Sequence, residues 1–150
     1  MRTVEREVVG VVILSKDKKV LLTRKNSKRD EVYPGLWIVP GGGIEGGEKG
    51  EQALIRETKE ELGIDISCYE IKLVDDEGTG ESPRSLNGER ILCKMRFFDY
   101  LVNIDDKNSD EIKIVLDDEL EAYTWVKPED LKNYKLSPPT ERLFKKLYYF

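Results

Sequence analysis

Residues 42–64 read GGIEGGEKGEQALIRETKEELGI, and this stretch decides how the rest of the chain is placed. From Lys49 to Leu62 it holds good helix formers and no proline, and Gly63 follows as an expected C-terminal stop. Side chains three and four apart share a helix face, so Glu57, Glu60 and Glu61 are expected to point the same way. Leu54, Ile55, Thr58 and Leu62 fall on another arc, about a third of a turn away, suited to packing on a sheet. The acidic cluster is costly. Two unit charges about 5 Å apart repel by about 3 kcal/mol at an effective dielectric near 20. Glu60 and Glu61 also lie in the last turn, where the helix dipole disfavours anions. A hard divalent cation neutralises such an arrangement, and clustered carboxylate oxygens suit Mg²⁺. Taken alone, Glu-x-x-Glu-Glu reads as the solvated acidic face of an ordinary helix. Its neighbours change that reading.

Directly upstream, residues 40–48 (PGGGIEGGE) place five glycines in nine positions, and such backbone can approach a ligand closely. Gly41, Gly43 and Gly46 spell G-x-G-x-x-G, but a dinucleotide-binding loop sets phosphate on a helix N-terminus within a repeated βα pattern. Here the helix that follows presents carboxylates, which repel phosphate unless a metal bridges them. No Gly-Lys-Ser/Thr follows the glycines either, which excludes a Walker loop.

Taken together, Gly42, Glu48, Arg56, Glu57, Glu60, Glu61 and Gly63 satisfy the spacing G-x5-E-x7-R-E-U-x-E-E-x-G-U, where U is aliphatic. On these residues the chain resembles the Nudix (MutT-like) hydrolases, which cleave a nucleoside diphosphate linked to another group. One position departs: Thr58 stands where an aliphatic residue is usual, and it is small enough to pack. The resemblance implies a mixed-sheet αβα sandwich of the α+β class. It also implies roles residue by residue. Glu60 and Glu61 are the principal Mg²⁺ ligands, Mn²⁺ being the alternative ion, helped by the carbonyl of Gly41 or Gly42. Glu57 is a further ligand or the base that orients water. Arg56 holds Glu57, and Glu48 pairs with Arg56 or reaches a metal through water. Outside the box, Glu119 is the expected additional ligand or base, with Asp118 and Glu121 in reserve.

Substrate residues follow from the same resemblance. Arg24 ends a strand where relatives contact nucleotide phosphates, and Trp37 and Trp125 could stack on a base or belong to the core. Residues 32–37 (VYPGLW) and 121–131 (EAYTWVKPEDL) are similar to the NudI-type nucleoside triphosphatase branch. That branch prefers pyrimidine deoxynucleoside triphosphates and releases a monophosphate plus pyrophosphate. In 8-oxo-dGTP-cleaving relatives an Asn after Pro-Pro-Ala reads the purine. The run here, residues 138–141 (PPTE), puts Glu141 at that place and weakens that alternative. ADP-ribose or another nucleotide sugar is the other enzyme reading, and a noncatalytic nucleotide sensor on the same scaffold is a third. No box glutamate is lost, which favours hydrolysis.

Composition sets outer bounds. The 150 residues suit one domain, residues 1–150, and 39% hydrophobic beside 37% charged residues describes a soluble globular chain. The net charge of −5 argues against binding nucleic acid polymers, though not against small polyphosphates recruited through a cation. Cys68 and Cys93, with no CxxC pair, signal neither a disulfide framework nor a zinc site and read as small core hydrophobes. No apolar run reaches the roughly 18 residues of a membrane span, so no membrane partner and a cytoplasmic location are expected. A homodimer is expected only because relatives often form one.

Strands are expected at Val8–Leu14 and Val20–Thr23 around the turn at residues 17–19, then at Leu36–Val39, Ile71–Val74, Ile91–Leu101 and Ala122–Val126. The polar segment Asp75–Arg90 reads as a long hairpin connection or mobile flap. A closing helix is expected at Pro138–Leu147, with two prolines at its start.

Overall fold

The computed structural model describes residues 1–29 and 31–150. Its strands are β1 (Arg2–Ser15), β2 (Val20–Lys25), β3 (Trp37–Ile38), β4 (Gly41–Gly43), β5 (Lys72–Leu86), β6 (Glu89–Ile104) and β7 (Leu120–Val126); its helices are α1 (Gly50–Leu62) and α2 (Pro138–Lys146). Among the described residues these strands form one mixed sheet in the order β3-β2-β1-β6-β5, with β4 pairing β1 and β7 pairing β2. β1 and β6 run parallel from Arg2↔Ile91 to Ser15↔Ile104.

The apolar run of β1 has a direct cause, since both faces of the strand are covered. Val9, Val11 and Ile13 join Leu54 and Leu62 of α1 in one core cluster. Val12 joins Leu143 and Phe144 of α2 in the other. The result is the expected αβα sandwich of the α+β class. Among the described residues no helix is long and apolar enough to cross a membrane.

Two local expectations are corrected. Residues 75–86 are strand rather than connection: β5 continues to Leu86 and turns on Asn87 (φ 50°) and Gly88 (φ 79°) alone. Asn-Gly with both residues at positive φ is the signature of a two-residue hairpin turn. The strand escaped notice because its inward positions, such as Gly78 and Ser82, are small or polar, so no hydrophobic alternation appears. Cys68 is exposed, not a core residue, whereas Cys93 is buried. Thr58 at the aliphatic position is 1% exposed, and its hydroxyl donates to the Leu54 carbonyl at 2.7 Å. It therefore packs without leaving a buried polar atom unpaired.

Candidate active site

The glycine segment is pinned, not loose. β4 pairs antiparallel with β1 through Val8↔Gly43, Val9↔Gly42 and Gly10↔Gly41, which lays its backbone against the carboxylate face of α1. The approach at Gly42 is close: a Cβ there would lie 2.4 Å from Glu57 Cδ and 2.5 Å from one of its oxygens. Gly42→Ala is therefore expected to push the Glu57 side chain aside, costing about 1–3 kcal/mol of stability as overpacking does. Activity should fall with it, and denaturant unfolding alongside steady-state rates would check both.

Helix α1 ends in a left-handed Gly63 (φ 70°) whose N–H bonds the Lys59 carbonyl, as expected. Its three glutamates do not share one exposed face, however. Glu61 is 2% exposed and belongs to the packing side, Glu57 is half-buried, and the Glu60 side chain is largely in solvent. They form a gradient from core to water.

Arg56 ties this gradient together. Its Nε and Nη2 donate to the two Glu48 oxygens at 2.8 and 2.9 Å, and its Nη2 also reaches the Gly43 carbonyl at 3.1 Å. Its Nη1 donates to Glu57 Oε1 at 2.9 Å and to Glu60 Oε2 at 3.4 Å. These bonds hold the Glu48 carboxyl well below the usual carboxylate range. The Glu48 Oε1 also accepts from the Glu45 N–H, bracing the glycine loop.

Glu61 experiences the opposite field. Burial pushes its pKa up to about 9; Lys25 pulls it down, while Glu57, Glu119 and Asp117 push it further up. Glu57 is raised as well, by burial first, against the pull of Arg56. The segment bearing Asp117 and Glu119 docks on the end of α1 through Val115 N–H to the Leu62 carbonyl and Asp117 N–H to the Glu61 carbonyl. Hence acids distant in sequence meet at one carboxyl.

As they stand, no three ligating side chains among the described residues converge on one cation. The reason is visible in Arg56, which occupies Glu57 and Glu60 itself. The donor set nonetheless fits a hard divalent ion. It consists of oxygens, one carboxyl pushed toward neutrality by burial and then by its acidic neighbours, and a second carboxylate packed on the Gly42 backbone. Glu57, Glu60 and Glu61, with a Gly42 carbonyl, are the residues that could hold it.

Glu57 and Glu61 open into a cleft of about 230 Å³, together with Lys25, Glu119 and the backbone of Gly41–Gly43. The same cleft is lined by Cys93, Met95 and Phe97 of β6, by Tyr33, and by Pro139 and Thr140 of α2. The segment at Tyr33 is fastened to β5: its N–H donates to Ser82 Oγ at 3.2 Å, and Glu31 pairs with Arg84 at 3.4 Å.

Other residues singled out from sequence lie elsewhere. Arg24 stacks on Trp37, 4.8 Å from the ring centroid, and pairs with Glu121 at 3.1 Å. Trp37 meets Tyr134 edge-on, and Trp125 packs against the α1-side core. Glu141 pairs with Lys145 on the outside of α2, while its neighbour Thr140 faces the cleft. Asp118 is exposed. None of Arg24, Trp37 and Glu141 is among the residues that line the cleft.

Lys25, Asp117, Thr140 and Asp99 were missed. Strand alternation did carry a signal for Lys25, which shares parity with Leu21 of the α1-side core. Nothing local marked the others, because their neighbours come from other elements.

A family model for the NUDIX domain matches residues 4–147. The nucleoside triphosphatase NudI of Escherichia coli (strain K12) is 34% identical over 132 residues, 87% of this chain and 88% of that protein. Among solved structures, a MutT NUDIX hydrolase from Burkholderia pseudomallei aligns with a TM-score of 0.58 at 26% identity, covering 96% of this chain and 98% of that one. The E. coli dihydroneopterin triphosphate pyrophosphohydrolase aligns at 0.67 and 23% identity, over 95% and 96% of the two chains, a likeness of fold.

Proposed function

The chain belongs to the Nudix family, and from that premise we propose that it is a Mg²⁺-dependent pyrophosphohydrolase of nucleoside triphosphates, pyrimidine deoxynucleoside triphosphates foremost. The observation that carries this reading is one cleft lined both by Glu57, Glu61, Glu119 and Lys25 and by the apolar side chains of Cys93, Met95 and Phe97. A polyphosphate belongs with the first group and a base with the second.

Glu57, Glu60, Glu61 and the Gly42 carbonyl would hold the cation, for which Mn²⁺ is the substitute. The chemistry a bound divalent ion supplies here is neutralisation of phosphate oxygens and acidification of water. The protein's own groups do the positioning. Arg56 fixes Glu57 in place and Glu48 fixes Arg56, so the Glu57 carboxylate is oriented before substrate arrives. Glu119, which lines the same cleft, would be a second acceptor for a proton from water. Lys25, whose charge acts on Glu61, would offer charge to a phosphate oxygen. The Arg24–Trp37 pair lies beside this cleft on β2 and β3, and Glu141 beyond Thr140. Contacts from these residues to substrate would need their side chains to leave the partners described above.

The test is a turnover panel with Mg²⁺ over dCTP, dTTP, dUTP, dGTP, 8-oxo-dGTP and ADP-ribose, with phosphate detected with and without added inorganic pyrophosphatase. Phosphate that appears only with the added enzyme identifies pyrophosphate as product, as expected. Inert triphosphates beside AMP released from ADP-ribose would replace this reading with nucleotide-sugar hydrolysis.

A further inference from the structure

Alternate residues of a strand point the same way, so β6 lays Cys93, Met95, Phe97 and Asp99 along one wall of the cleft. Asp99 ends this row as a carboxyl only 4% exposed. Room for it exists because its register partner on β1 is Gly10. A Cβ at position 10 would come within 2.5 Å of Asp99 Oδ1.

Among the described residues Asp99 has no ion-pair partner. Its partner across the β5–β6 hairpin is Asp75, and Asp75 takes two of the three α2 cations, Oδ2 accepting from Arg142 Nη1 at 2.6 Å and Oδ1 from Lys146 Nζ. Burial, then the charge of Asp75, push Asp99 up to about 7, against the more distant pull of Arg142 and Lys146. The carboxyl therefore keeps its proton far more readily than a free aspartate does, and in that form sets an O–H and a carbonyl side by side.

Helix α2 offers a phosphate chain no backbone donor at its start. α2 begins with Pro138 and Pro139, which carry no N–H; the Thr140 N–H bonds Ser137 Oγ, and the Glu141 N–H bonds the Ser137 carbonyl. The first-turn donors that hold anions elsewhere are absent or spent. Phosphates therefore belong with the glutamates, which leaves the base along the β6 row.

We propose that Asp99 reads the nucleobase, its carboxyl donating one hydrogen bond to the edge of the base and accepting another. The inference rests on the nucleoside triphosphate reading above and adds the residue that recognises the base. The complement is an adjacent acceptor and donor, such as N3 and N4–H of cytosine or O4 and N3–H of thymine. A buried polar group built for such a pair rejects an analogue that leaves it unpaired.

The experiment compares the triphosphate turned over fastest with its analogue methylated on the ring nitrogen of that edge, N3 of a pyrimidine or N1 of a purine. The unmutated enzyme is expected to lose at least about 30-fold in kcat/KM on methylation, mostly through KM. Asp99→Leu should narrow that ratio to less than about 3-fold, whereas Asp99→Asn, which keeps one donor and one acceptor, should preserve it. A merely structural role would weaken both substrates alike and leave the ratio unchanged, which would overturn the proposal. Should Asp99→Leu not fold, the unmutated protein still decides. The side-chain carboxyl ¹³C signal of Asp99 should move with the nucleoside monophosphate and stay still with its methylated analogue; movement with neither, or equally with both, refutes it. Inertness towards every triphosphate would sink the underlying reading, whereas turnover with an unaltered ratio would sink this inference alone.

Discussion

Glu61→Gln is expected to lower divalent-dependent turnover by about 1,000-fold or more while leaving a folded protein. The magnitude is that of removing one preorganised charge-stabilising group from a site that excludes water. Glutamine has nearly the same shape, so the packing of Glu61 between α1 and the sheet survives. Only its ability to carry charge is lost.

Stability should record the same change through pH. The folded-state pKa of Glu61 is about 9, above the ordinary 4.5, because of burial and acidic neighbours. Between those values the folded state binds a proton that the unfolded state has released, so the linkage slope is negative. Without divalent cations, stability is expected to decline as pH rises from about 5 to 9, at a rate approaching about 1.4 kcal/mol per unit for one fully coupled proton. Glu61→Gln should lessen that decline, leaving the part that comes from the raised Asp99 and Glu57 carboxyls. Mg²⁺ should oppose it in the unmutated protein and release a proton on binding, measurable by calorimetry in buffers of differing ionisation enthalpy. Near-normal turnover by the glutamine variant, or an unchanged pH slope, would remove Glu61 from the role assigned to it.

The second large effect concerns Arg56. Its guanidinium bridges Glu48, Glu57, Glu60 and the Gly43 carbonyl. Removing it leaves two carboxylates, with side chains 20% and 13% exposed, without their counter-charge. Breaking one partner of a buried pair costs about 3–5 kcal/mol. With Arg56 itself 22% exposed, solvent screening reduces this, and Arg56→Ala is expected to cost about 2–3 kcal/mol. For a chain of this size that is a fall of roughly 5–12 °C in Tm. Arg56→Lys should recover little, because an ammonium cannot make the forked bonds to Glu48 and still reach Glu57. Turnover should drop by at least about 100-fold, since Glu57 loses its orientation. Mg²⁺ is expected to raise the Tm of Arg56→Ala more than that of the unmutated protein, because a cation then relieves carboxylates that Arg56 no longer neutralises. Thermal unfolding of the three proteins with and without Mg²⁺ tests this, and an Arg56→Ala Tm within a degree of the parent would contradict it.

Local information sufficed wherever the cause was local. The helix over residues 50–62, its Gly63 stop, the paired prolines opening α2 and the strands around residues 8–23 follow from propensity, period and turn chemistry within a few residues. That Glu48, Arg56 and Glu57 meet is what the family resemblance implies, and the structure joins them through the Arg56 guanidinium. By contrast, Glu61 looked like one of three equivalent surface acids. Only packing decided that it is buried, since it depends on which side of α1 meets β1. The segment 75–86 looked like a flap because a strand whose inward neighbours are glycine and serine leaves no alternating apolar trace.

The sequence by itself therefore determined the sandwich and the acidic helix, both written in short-range periodicities. Tertiary structure decided the electrostatics of the cleft. It brought Glu119 and Asp117 to Glu61 by docking their segment on the end of α1. It turned Arg24 toward Glu121 while Lys25 faces the cleft. It left Asp99 beneath Gly10 while Asp75 took the cations. Charge and burial at a point depend on every element that packs around it, and those neighbours stand as far as 97 residues away in the chain.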